Sequence, residues 1–170
     1  MSSQKIILYE GLVTLLGTVA VPRIDTTKEV MRFKTIRLWR NDLAKEKIEI
    51  PFLCPACLIE LLPSNYMELG DGLQSYDLTV RLHILFESYK DQDLDVLNLV
   101  DGTYRKVQGK QFGYLAKMKR RNEEQNFDHD NVQDYIQDYD CGRAKDYPTE
   151  TLVPATITEV VVIPDITIIT

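Results

Sequence analysis

The sequence predicts an α+β domain: a mainly antiparallel sheet with two helices packed on one face, plus an extended, β-prone C-terminal arm. Three observations carry this. Period-two alternation of apolar and polar residues recurs along the chain, helical spacing is confined to two segments, and the connections are of hairpin length. The expected division is a core domain over residues 1–142 and an arm over residues 143–170.

Residues 4–19 place Leu8, Leu12, Leu15, Leu16 and Val19 on a helical stripe, with Ser2 or Ser3 as the cap and Pro22 beyond the end. Residues 20–31 read as a loop. "RFKTIRLW" then alternates, with Phe33, Thr35, Arg37 and Trp39 on one side and Lys34, Ile36 and Leu38 on the other, which predicts a strand. "RNDLAKEK" is polar and reads as a loop or hairpin turn. "FLCPACLIELL", between Pro51 and Pro63, has the length and composition of a central strand buried on both faces. Pro55 cannot donate to a ladder and marks that strand's beginning or a bulge.

"SNYMELGDG" reads as a turn-rich connection. "LQSYDLTVRLHILFES" has the clearest alternation in the chain: Leu78, Val80, Leu82, Ile84 and Phe86 face one way, and Thr79, Arg81 and His83 the other. The period then switches, with Leu94, Leu97, Val100, Tyr104 and Val107 at helical spacing. Asp91 or Asp93 serves as cap, Gly109 as stop, and Gly102 is a weak point inside. "YLAKMKRRNEEQ" and "DNVQDYIQDYDCG" predict two more strands around "NFDHD".

A chain of 170 residues, 44% hydrophobic and 27% charged, can bury about 70% of its unfolded surface without disulfide or metal. The net charge of −6 argues against a nucleic-acid grip, and the one basic knot, Lys117 to Arg121, is followed at once by "NEE". No apolar run of about 18 residues exists to span a membrane. The N-terminus has a short apolar core like a signal peptide, but Tyr9, Glu10 and Thr14 interrupt it, and an amphipathic helix is expected. Three cysteines, an odd number, fit a reducing compartment.

Cys54-Pro-Ala-Cys57 has the spacing of a redox dithiol or half a zinc site. A redox pair sits at a helix N-terminus, and the residues that follow, "LIELLPSN", are ended too soon by Pro63. On a strand, positions three apart point to opposite faces, so the two thiols are expected to be packing residues. A zinc site would need His83, His129 or Cys141, and no second knuckle spacing exists. "NFDHDN" reads as a polar hairpin tip, and His83 as a solvent or interface residue. No phosphate-cradling loop, calcium loop or catalytic triad order is present, so no catalytic, cofactor-binding or metal-ligating residue is expected and the chain is not read as an enzyme.

The arm is more informative. "TITEVVVIPDITIIT", residues 156–170, is strongly β-prone and carries only Glu159 and Asp165 as charges. Left free it would aggregate, so it must fold back on its own sheet edge or add to a neighbouring copy. The Pro148 to Pro154 link favours reach. The neighbour is therefore expected, with Thr156, Ile157, Val160, Val161, Val162, Ile163, Ile166 and Ile168 between subunits.

The blocks "IRLWRNDLAKEKIEIPFLCPACLIELLP", "LQSYDLTVRLHILFESY", "DLDVLNLVDGTYRKVQG" and "EEQNFDHDNVQDYIQDY" resemble the tail terminator, or tail completion, proteins and related neck-connector ring proteins of tailed bacteriophages. With the first helix they cover roughly residues 5–140. The resemblance implies a virion structural protein of the tail or neck, assembled in the host cytoplasm. It implies a homo-oligomeric ring, commonly six-fold, contacting tail-tube and neck or connector proteins. Genomic DNA would pass its lumen without sequence-specific binding. The family has no catalytic residues to carry over. The long arm departs from its compact pattern and leaves open a head-tail connector of other symmetry, such as twelve-fold. The alternative of another class is a thiol-redox or metal-binding protein using Cys54 and Cys57.

Overall fold

The computed structural model describes residues 3–24, 29–40, 52–70, 73–87, 93–126 and 132–146. Its elements are α1 (Gln4–Gly17), β1 (Ala20–Pro22), β2 (Val30–Arg32), β3 (Thr35–Leu38), β4 (Ala56–Glu68), β5 (Gln74–Glu87), α2 (Asp93–Val107), β6 (Lys119–Asn126) and β7 (Val132–Asp146). Five strands form one sheet in the order β3-β4-β5-β7-β6, and β1 pairs with β2 in a separate small ribbon. All pairings are antiparallel except β3 with β4. The connection from β5 through α2 to β6 leaves a slot beside β5, which β7 fills on its return.

Alternation sorts the side chains of β4, β5 and β7 into two layers. Cys57, Ile59, Leu78, Val80, Leu82, Ile84, Phe86, Tyr139 and Cys141 face the helices and form one core with Leu8, Leu12 and Leu16 of α1 and Val96, Leu99, Val100 and Val107 of α2. Both helices therefore lie on the same face. On the opposite face Phe52, Cys54, Ala56, Leu58, Leu85 and Val132 form a smaller apolar cluster, with Trp39 against it.

Helix α1 begins at the Ser3 cap, whose hydroxyl accepts from Lys5 N at 3.3 Å. Helix α2 carries Asp93 and Asp95 in its first turn and Arg105 and Lys106 in its last, each favourable to the helix dipole. Its buried stripe differs from the expected one. Leu94 and Leu97 are exposed, while Val96, Leu99, Val100, Thr103 and Val107 face the sheet. Both stripes satisfy helical spacing. What decides is that Asp95 turns inward to accept from Ile24 N at 2.7 Å, next to Arg23. Gly102 does not break the helix; it lets β1 approach, since a Cβ there would meet Val21 Cγ1 at 2.7 Å.

Three further expectations are corrected. Within the segment read as a loop, Val21 and Met31 pair across β1 and β2 and are buried, which makes a ribbon of it. "SNYME" is not a connection but the far half of β4, carried past Pro63 by a register shift between Ser64 and Met67 and a positive φ of 52° at Asn65. Arg143 to Asp146, read as the root of the arm, continue β7 opposite Gln74 to Asp77. Residues 147–170, including every arm position proposed between subunits, lie outside the described residues, as do most of "RNDLAKEK" and residues 127–131.

Gly142 sits where β7 shifts register against β5, with φ at +74° and a would-be Cβ 2.8 Å from Ala116 Cβ. Gly142→Ala combines left-handed strain with a clash, and a loss of about 1–3 kcal/mol is expected in urea unfolding. Gly17→Ala meets nothing within 4 Å and should leave stability unchanged or raise it by up to about 1 kcal/mol.

Candidate functional site

Pro55 ends its segment by accepting from Lys34 N at 2.8 Å, and β4 begins at the next residue. The proline thus stands at the start of the strand, as one of its two expected positions required. The two thiols lie apart: Cys57, on the strand, packs under the helices, and Cys54, before it, packs in the opposite apolar cluster. Both are buried, as is Cys141. Burial pushes the Cys57 thiol far up, with the nearby Asp134 carboxylate adding to it. Burial, then Asp140, pushes Cys141 up to about 12. The reactive form of cysteine is the thiolate, so neither is poised for chemistry near neutral pH. Among the described residues no group of three His, Cys, Asp or Glu is placed to hold a metal ion.

The polar half of the sheet's second face holds what the sequence reading missed. His83 does not face solvent; it is 5% exposed. Its Nδ1 lies 2.9 Å from Asp134 Oδ2 and its Nε2 3.4 Å from Glu60 Oε2, while its ring stacks on Trp39 with centroids 4.1 Å apart. Four elements converge: β3 supplies Trp39 just past its end, and β4, β5 and β7 supply Glu60, His83 and Asp134. Asp134 is itself buried, and its Oδ1 has no partner among the described residues. The alternation of β5 places His83 on this face, and "DYIQDYD" places Asp134, Asp138 and Asp140 on it too. Only the register, which the sequence does not state, brings them together.

One step further along, Arg81 donates twice to Asp138, Nε to Oδ1 at 2.8 Å and Nη2 to Oδ2 at 3.1 Å. That paired carboxylate holds Arg81 more firmly in its charged form. Beyond it Arg121 pairs with Asp140, and Arg143 with Asp77 at 3.3 Å. Asn65 and Arg143 together hold the Asp77 carboxyl below its usual range. Arg120 bonds Glu123 and lies over the Tyr104 ring at 3.9 Å. The arginines of the basic knot are thus matched by carboxylates, as the mixed-charge reading of that segment expected.

Chemically, the cluster is built to hold shape. Both ring nitrogens of His83 face carboxylates. No hydroxyl or thiol nucleophile bonds to the ring among the described residues. A buried, paired histidine under a tryptophan pins β3, β4, β5 and β7 in one register. His129, the centre of "NFDHDN", lies outside the described residues.

With its three thiols buried, the native protein should react slowly with a chromogenic disulfide near pH 8 and release the full three equivalents only on unfolding. A fast pair would favour a dithiol function. Stability should also fall at alkaline pH. Burial raises Cys57 and Cys141 above the ordinary 9.0, and Tyr135 and Tyr139 above the ordinary 10.0. The unfolded chain then releases protons that the folded chain retains. This contribution is fully present below about pH 9 and is lost as pH rises toward about 12, which thermal melts between pH 8 and 11 would read.

No protein-family model matches the chain and no curated protein matches it, so the functional reading rests on its own residues.

Proposed function

We propose that this chain is a non-enzymatic virion structural protein, a ring-forming tail terminator that joins the tail tube to the head–neck of a tailed bacteriophage and lets DNA pass. The observation that carries the reading is the terminal segment "TITEVVVIPDITIIT", β-prone and nearly uncharged, tethered through Pro148 and Pro154 to a sheet with open edges. Such a segment needs a sheet to complete, and a neighbour's sheet gives the head-to-tail contact that closes a ring.

Two further features support it. The sequence blocks that carry the resemblance supply β3, β4, β5, α2 and β7, the elements of an α+β subunit of the kind that family implies. Carboxylates outnumber bases, 26 against 20, so a lumen bordered by this chain would attract phosphates weakly and let DNA slide. No helix among the described residues is long and apolar enough to cross a membrane. The arm's length favours one alternative, a head-tail connector or neck ring of another symmetry. A redox or metal role for Cys54 and Cys57 is disfavoured by the opposite faces they occupy.

Deleting residues 149–170 should reduce the assembled mass in size-exclusion chromatography with light scattering while circular dichroism and thermal melting stay those of a folded domain. Assembly of undiminished mass in the folded truncation would count against the proposal.

A further inference from the structure

The sheet offers three edges, and they are not equivalent. The outer side of β6 reads "KRRNEEQN", and its first six residues are exposed. Such a charged edge resists strand addition. On the other side β3 stops at Leu38, and Trp39 N donates to Ile59 O at 2.8 Å. Beyond that point β4 runs on to Glu68 with no outer partner among the described residues, but Pro63 lacks a donor and the register shift at Ser64/Met67 bends the strand. That edge is blunted in the way natural edges are.

The third edge is the end of β7. Strand β6 reaches only Lys119, opposite Asp140, and Ala116 N then closes on Cys141 O at 2.9 Å. From Arg143 to Asp146 the outer side of β7 has no strand partner among the described residues, while its inner side stays paired with β5. A pocket of about 290 Å³ lies there, lined by Gln4, Tyr114, Leu115, Arg143, Ala144 and Lys145. Tyr114 is 87% exposed, an aromatic side chain standing free beside an open edge. Its backbone is tied in place, with Tyr114 N donating to Gln4 Oε1 at 3.2 Å.

We infer that the Arg143–Asp146 edge and its pocket accept the C-terminal segment Thr156–Thr170 of a second copy of this chain. The inference rests on the ring reading and names the surface that reading needs. Two things on the chain select this occupant. The first is charge. The pocket carries Lys145 beside Arg143, which already pairs with Asp77, and Lys110 and Lys117 are exposed on the adjoining turn, whereas the only charges in the segment are Glu159 and Asp165. The second is reach. The segment starts ten residues after Asp146, and the nine-residue link 147–155 holds two prolines. Extended, such a link spans about 30 Å, the width of a small domain, so it carries the segment past its own edge to the same edge next door. An own-chain return would have to fold that link into a compact loop.

Paired cysteines in the full-length chain test this, because the native thiols are buried. Tyr114→Cys is combined in turn with Thr156→Cys, Val161→Cys and Ile166→Cys, and the oxidised proteins are read on non-reducing gels. Bands of two and more subunits from at least one pair, weakened by Lys145→Glu, are expected. Closed single subunits would place the segment on its own edge and overturn the inference, and so would no crosslink from any pair. Light scattering on the unsubstituted protein separates this outcome from that of the ring reading. Large assemblies without crosslinks would sink the acceptor edge alone, whereas crosslinked open chains of no fixed size would sink the ring alone.

Discussion

Everything in this fold hangs on the shared register of three long antiparallel strands, β4, β5 and β7. A slip of one residue in any of them would turn Arg81, His83 or Asp134 under the helices and lift Leu82, Ile84 or Ile59 into water. Neither helix could then bury its stripe. The register is secured from both layers. Beneath, the apolar rows of β5 and β7 close over Leu8, Leu12 and Leu16 and over Val96 to Val107. Above, the stack of Trp39 on His83, held between Asp134 and Glu60, can form in one register only. Breaking such a buried polar set strands its partners, which costs about 1–3 kcal/mol for each group left unpaired.

Most of the sheet was legible in the sequence because alternation is a local signal. The α+β class, the strands around Leu78–Phe86, Lys119–Asn126 and Val132–Cys141, both helices and the packing role of Cys57 and Cys54 could be read from spacing alone. The failures share one cause, which is that the deciding contact is distant in sequence. The face of α2 was off by a step because Asp95 answers Ile24. Val21 and Met31 looked like loop residues until paired with each other. "SNYME" carries turn residues, yet its pairing with Gln74 to Asp77 makes it strand. His83 looked solvent-facing because its neighbours on β5 are polar, whereas its environment is set by Asp134, fifty-one positions away.

The site chemistry and the proposed role lead in the same direction. The thiols are buried, Cys57 and Cys141 are held protonated, the histidine lies between carboxylates, and the arginines of β5, β6 and β7 are matched by acids across the strands. Among the described residues these polar side chains bond to one another across the strands. Such an arrangement suits a rigid building block whose variable part is its edge. In the proposed assembly, the unblunted stretch of β7 receives what the next subunit's arm brings, so that folding of the core and closure of the ring use one sheet.

Electron imaging of the purified full-length chain addresses that claim most directly. Closed rings of a single copy number with a central opening are what the account predicts. A field of separate single subunits, at concentrations where the terminal segment stays soluble, would contradict it.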